Sequence, residues 1–181
     1  MNPLSKFGID KSWTLFLDRD GVINERIVDD YVKTKEQFVF LPRAAESIAL
    51  LGNYFGKIVV VTNQQGIGKG LYTHDDLSSI HNYMKSEVEK LGGRIDAVFY
   101  APNLASENSP LRKPGIGMAL NAQKIFPHID FAKSMMVGDT GSDMQFARNA
   151  GMKSVFCSDK EQSSSADIHV SSLAEFASYF T

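Results

Sequence analysis

The chain is poor in cysteine, in long apolar runs and in clustered positive charge. Cys157 is the one cysteine among 181 residues, which excludes an internal disulfide and any zinc site built on several thiolates. A reducing cytoplasm is the expected compartment. No stretch stays apolar for the roughly 18 residues that a membrane span needs. Met1 to Trp13 mixes Asn2, Pro3, Ser5, Lys6, Asp10 and Lys11, so the apolar segment of a secretory signal is missing and export is not expected. The formal net charge is −2 with no lysine or arginine tract, which removes the broad electrostatic reason for binding nucleic acid or an anionic membrane. Two nucleotide fingerprints fail as well. A Walker loop would need glycine where Asn63 stands and a hydroxyl where Gly70 stands, and Gly-x-Gly-x-x-Gly breaks at Leu71.

What is present is an ordinary globular composition, 43% apolar and 22% charged, in a length that suits one compact domain over residues 1–181. Apolar runs of strand length alternate with longer helical patterns, the signature of a parallel α/β sheet. Five strands are expected, at Trp13 to Leu17, Lys57 to Thr62, Ile95 to Tyr100, Ser134 to Val137 and Lys153 to Phe156. Helices are expected from about Pro42, from Thr73 to the Gly92-Gly93 stop, over about Gly117 to Phe126 and Ser142 to Ala150, and as a closing helix over Ser172 to Phe180. Ser158 to Asp167 is polar and reads as a mobile loop.

Ligands of open parallel sheets bind beyond the carboxyl ends of the strands, and the reactive side chains fall there. Asp18 and Asp20 follow the first strand, Thr62, Asn63 and Gln64 the second, Arg112 and Lys113 lie in the loop after the third, and Asp139 and Asp143 follow the fourth. Two carboxylates two residues apart leave a buried strand at Asp18 and Asp20 and meet Gly21. Their mutual repulsion calls for a cation, and Mg²⁺ prefers such hard oxygen ligands. Asp139 supplies a third oxygen, while Asp143 either reaches the metal or serves as a first-turn helix carboxylate. The glycine-rich turn from Thr62 to Gly70 offers a hydroxyl and backbone amides to an oxyanion. Arg112 and Lys113 bring the positive charge that phosphoryl transfer needs in a carboxylate-rich site.

These four segments, Asp-Arg-Asp-Gly-Val-Ile-Asn, Thr-Asn-Gln-Gln-Gly-Ile-Gly, Arg-Lys-Pro-Gly-Ile-Gly-Met and Gly-Asp-Thr-Gly-Ser-Asp-Met, resemble the motifs of the haloacid dehalogenase superfamily of phosphatases, in that superfamily's chain order and over about Trp13 to Phe156. Within it they are most similar to the heptose bisphosphate phosphatases and the histidinol-phosphatase domain. The resemblance implies a Rossmann-like three-layer α/β fold with a mainly parallel central sheet. It also implies Asp18 as nucleophile, Asp20 as general acid/base, and a Mg²⁺ ion on Asp18, Asp139 and the Asp20 backbone carbonyl. Thr62 and Lys113 would hold the phosphoryl group and Arg112 would recognise the substrate, with Asn63, Gln64, Asp30 and Tyr31 as further candidate contacts. The implied activity is hydrolysis of a phosphomonoester of a small soluble metabolite, a sugar phosphate or bisphosphate, by a monomeric cytoplasmic enzyme. A histidinol phosphatase, a polynucleotide 3′-phosphatase and a non-catalytic phosphate-binding module are the alternatives.

One departure separates this chain from those relatives, which carry a structural zinc loop after the third strand. Here the corresponding positions hold Ala101, Asn103, Ser109 and Leu111, none of which replaces a thiolate or imidazole, so no structural zinc is expected. The intervals between the motifs are filled by the sheet's own helices, which leaves no room for a large cap domain. His74, His81, His128 and His169 adjoin none of the four motifs in sequence and are read as surface or helix-packing residues.

Overall fold

Residues 3–159 and 165–181 are described by a computed structural model. Six parallel strands form one sheet, β1 (Thr14–Leu17), β2 (Lys57–Asn63), β3 (Ala97–Ala101), β4 (Ser134–Gly138), β5 (Lys153–Cys157) and β6 (Ile168–Val170), in the order β3-β2-β1-β4-β5-β6. The helices are α1 (Ala44–Leu51), α2 (His74–Lys90), α3 (Gly117–Ile125), α4 (Gly141–Ala150) and α5 (Leu173–Ser178). Alternate side chains of each strand point to opposite faces, and both faces are covered. Leu15, Leu17, Ile58, Val60, Met135 and Val137 pack with α1, α2 and α5, while Phe16, Val59, Val61 and Met136 pack with α3 and α4. Burial on both faces explains why the central strands read as unbroken apolar runs.

The expected start of α2 is present as a reciprocal capping box, in which the Thr73 hydroxyl accepts from the Asp76 amide and the Asp76 carboxylate accepts from the Thr73 amide. The sixth strand was not expected. It has three residues, with exposed His169 between buried Ile168 and Val170, too short a run for alternation to identify. Of the polar segment over Ser158 to Asp167, residues 160–164 lie outside the described residues. Between β1 and β2 the chain forms only loop, a short 3₁₀ turn (Lys35–Gln37) and α1, and between β2 and β3 only loop and α2. Among the described residues no helix is long and apolar enough to cross a membrane.

The strand order reverses between β1 and β4, whose carboxyl ends lie side by side, and this is where a doubly wound sheet opens its ligand crevice. The Asp18 amide donates to the Val137 carbonyl at 2.9 Å, carrying the β1–β4 ladder one residue past the strand. Asp18 and Asp139 are thereby brought together from 121 residues apart in sequence.

Candidate active site

The chain turns sharply after Asp18. The Arg19 carbonyl accepts from the amides of Val22, Ile23 and Asn24, and Gly21 adopts φ +89°. Glycine is required there twice over, since that φ is left-handed and a Cβ would lie 2.0 Å from Asp139 Oδ2. Gly138 has a comparable reason, because a Cβ there would lie 2.2 Å from the Asp143 Cβ.

Lys113 is the electrostatic centre of the site. Its ammonium donates to Asp18 Oδ1 at 2.8 Å, to Asp143 Oδ1 at 2.6 Å and to the Val61 carbonyl at 2.9 Å, so all three of its protons are used. Lys113, Asp18 and Asp143 are all buried. Burial works against the Lys113 charge, but the carboxylates of Asp143 and Asp18 outweigh it and hold the ammonium above its ordinary range. One cation does not offset two buried anions. Burial first, and then the Asp143 charge, push the Asp18 carboxyl upward, and burial likewise raises Asp139. An additional cation is the physical remedy for such a cluster.

Asp143 also belongs to the N-terminal capping box of α4, accepting from the Thr140 amide at 3.1 Å and from its hydroxyl. Both of its oxygens are therefore engaged by the chain itself. Asp18, Asp139 and Asp143 can bring one oxygen each to within 4.8 Å of one another. With the Asp20 carbonyl nearby, Asp18 and Asp139 are the carboxylates best placed to hold a hard divalent ion.

The Asp20 side chain faces a different set of partners. Burial alone would raise its carboxyl. The Arg19 guanidinium overrides that effect, together with hydrogen bonds from Asn24 (3.0 Å), Arg19 (2.9 and 3.1 Å) and Gln64 (2.9 Å), so Asp20 sits below the usual carboxylate range. Gln64 also donates to Thr62 Oγ1 at 2.9 Å and accepts from the Tyr72 hydroxyl. Arg19 is fully buried, lies over the Phe38 ring, and donates to His81 Nε2 at 3.2 Å. Because arginine has no acceptor, His81 must accept at Nε2 and carry its proton on Nδ1. Burial, reinforced by the Arg19 charge, depresses His81 to about 3 and keeps it neutral. His81 thus adjoins the first motif in space although 62 residues separate it from Arg19.

A cavity of about 280 Å³ opens above these groups, lined by Asp18, Asp20, Arg26, Tyr31, Thr62, Asn63, Arg112 and Lys113 together with Gln65, Thr140, Ser142 and Asp143. Asn63 and Lys113 exchange hydrogen bonds, side-chain amide to main-chain carbonyl at 3.1 Å and main-chain amide to side-chain oxygen at 3.0 Å, which ties the second motif to the third. Gln64 is buried and turned toward Asp20 and does not line this cavity. Asp30 lines a neighbouring cavity and pairs with Lys33 at 2.8 Å. Tyr31 borders both spaces, with the Lys69 ammonium 5.3 Å from its ring centre.

At the positions read in the sequence as corresponding to the zinc loop, Ala101 lies in the core and Leu111 packs against it. The Gln64 amide donates to the Ala101 carbonyl and the Gly68 amide to that of Pro102, so the chain's own hydrogen bonds hold this loop. His74, His128 and His169 lie on exposed positions. Cys157 is buried, which pushes its thiol up to about 12 and makes it a poor nucleophile.

Sequence reasoning overlooked Arg19, Arg26 and Tyr72, and read His81 as a surface or helix-packing residue. Arg19 had a signal in its place between two motif aspartates. Arg26, Tyr72 and His81 had none, because their relation to the site depends on how loops and α2 fold back over β1.

Residues 13–176 match the family described as polynucleotide kinase 3 phosphatase. A D-glycero-alpha-D-manno-heptose-1,7-bisphosphate 7-phosphatase of Mycobacterium bovis is 38% identical over 170 residues, covering 91% of this chain and 90% of that protein. The corresponding beta-anomer enzyme of Rhodopseudomonas palustris is 37% identical over 147 residues, 76% of this chain and 78% of that one. The crystal structure of D,D-heptose 1,7-bisphosphate phosphatase from B. bronchiseptica, complexed with magnesium and phosphate, superposes with a TM-score of 0.83 at 28% identity, over 93% of this chain and 97% of that chain.

Proposed function

The chain belongs to the polynucleotide kinase 3 phosphatase family within the haloacid dehalogenase superfamily, and from that membership we propose a magnesium-dependent phosphatase of a sugar bisphosphate, with heptose 1,7-bisphosphate as the leading substrate. It is a phosphoric monoester hydrolase by its relatives. The observation that carries the mechanism is the buried Lys113 ammonium on Asp18, at the floor of a cavity that also presents Thr62 and Asp20.

In the proposed reaction an Asp18 carboxylate oxygen attacks phosphorus, the bond from phosphorus to the ester oxygen breaks, and Asp20 gives that oxygen a proton. Water then loses a proton to Asp20, attacks the same phosphorus and releases Asp18 with inorganic phosphate. Asp20 is held as the anion suited to the second step, and an incoming phosphate dianion supplies the negative charge that favours its protonation for the first. Lys113 and the Thr62 hydroxyl stabilise the phosphoryl oxygens. Arg19, Asn24 and Gln64 fix the Asp20 carboxylate. Asp18, Asp139 and the Asp20 carbonyl would hold Mg²⁺, which would supply further neutralisation of the phosphoryl charge. Chelation with EDTA is expected to lower turnover by about 10²-fold or more, and added Mg²⁺ to restore it. Stoichiometric zinc in the purified protein would contradict the absence of a structural zinc site. A reducing, cytoplasmic compartment fits the single buried thiol.

Arg112 lines the cavity, and among the described residues its only side-chain hydrogen bond is a long one of 3.4 Å to the Asn103 carbonyl. A guanidinium so placed suits the second anionic group of a bisphosphate. Arg112→Ala is expected to raise KM for a bisphosphate by about tenfold while changing aryl phosphate hydrolysis little. Equal losses on both substrates would remove the residue-level support for a bisphosphate. The polynucleotide reading is favoured by the family description alone, and net charge −2 opposes it. A 3′-phosphorylated oligonucleotide hydrolysed with steep salt dependence would restore it.

A further inference from the structure

Arg26 lies outside the four motifs, yet it reaches the centre of the acidic cluster. One of its guanidinium nitrogens donates to both oxygens of Asp139, at 2.9 and 3.0 Å, and to the backbone carbonyl of Asp20, at 3.0 Å. A single nitrogen equidistant from three oxygens occupies the seat of a small cation. Those oxygens are two of the three donor groups assigned above to Mg²⁺, and a metal ion and this nitrogen would compete for the same lone pairs.

We propose that Arg26 is a tethered competitor of the divalent cation: the guanidinium and Mg²⁺ exclude each other at Asp139 and the Asp20 carbonyl, so metal entry requires Arg26 to swing away. The inference rests on the magnesium reading of the site. Its charge logic is direct, because Asp18, Asp139 and Asp143 converge within 4.8 Å and Lys113 alone does not offset them. Arg26 supplies the second positive charge until a metal does. Release is sterically open. The side chain is 49% exposed, belongs to a loop rather than a helix or strand, and borders three cavities, one of which Asp139 also lines. The apparent metal affinity is then the intrinsic affinity reduced by the fraction of molecules in which Arg26 is already off its ligands. The displaced guanidinium is left facing the phosphate cavity, where it can meet an anionic substrate.

Calorimetric titration of the EDTA-stripped full chain with MgCl₂ alone tests this without substrate. Arg26→Ala and Arg26→Gln are expected to bind Mg²⁺ about fivefold more tightly than wild type, the scale of a partly exposed ion pair lost as a competitor. Lys69→Ala is the control for general charge, since Lys69 lines an adjoining cavity and donates to neither Asp139 nor the Asp20 carbonyl, both of which are described residues. It should change the affinity less than twofold. In EDTA both Arg26 variants should melt below wild type, and Mg²⁺ should raise their melting temperatures by more than it raises that of wild type. Unchanged or weaker Mg²⁺ binding in both Arg26 variants overturns the inference, as does an equal gain from Lys69→Ala. If wild type and variants alike bind no Mg²⁺, the magnesium reading fails and this inference with it.

Discussion

Replacing Asp18 by Asn is expected to lower turnover by about 10⁴-fold or more while the fold survives. The amide keeps the shape of the side chain but has no anionic oxygen to attack phosphorus, so the covalent route closes. Folding should tolerate the change, because the buried cluster then holds one ammonium against one carboxylate at Asp143 rather than against two. Phosphate release from a sugar bisphosphate, measured beside a thermal melt in EDTA, reads both effects. Activity within about tenfold of wild type, only about 1.4 kcal/mol of barrier, would falsify covalent catalysis by Asp18.

The second large effect is expected at Lys113. Lys113→Met preserves much of the stem's volume but leaves Asp18 and Asp143 buried without their shared partner. Removing one member of a buried ion pair costs about 3–5 kcal/mol, so the melting temperature in EDTA should fall by many degrees. Added Mg²⁺ should recover part of that loss, since it returns positive charge beside Asp18. Turnover at saturating Mg²⁺ should still drop roughly 10²- to 10³-fold on every substrate, because the lost donor stabilises the transferring group and not a feature of one substrate. This uniform loss distinguishes Lys113 from Arg112. If Lys113→Met kept wild-type stability and lost activity on bisphosphates only, Lys113 would be a recognition residue and would not balance the charges of Asp18 and Asp143.

The parallel α/β architecture was legible because β1, β2 and β4 are covered on both faces, which makes their apolar runs continuous. The order of the motifs was legible for a related reason: reactive groups in this type of sheet follow the strand ends, so chain position already approximates location. The absence of thiolates at Ala101, Asn103, Ser109 and Leu111 is likewise a matter of residue identity and needed no coordinates. Local signals were sufficient at α2, where Thr73 and Asp76 cap the same turn from both directions.

Tertiary structure decided the rest. Which carboxylate Lys113 would join depended on β4 lying beside β1, and the outcome was that it joins both Asp18 and Asp143. Gln64 read as a loop contact to substrate, but the turn after β2 points it inward to Asp20. His81 read as a surface or helix-packing residue, and only the docking of α2 over β1 sets its ring nitrogen against Arg19. Arg26 had no signal at all, since a long flexible side chain in a loop finds its partners by distance in space, which spacing along the chain does not encode. Sequence determined which chemical groups this protein has and at which strand ends they emerge, because backbone periodicity and hydrophobic burial act locally. Their pairing was decided by the fold, because charges in a water-poor crevice respond to whatever lies within a few ångströms, however far away it is in the chain.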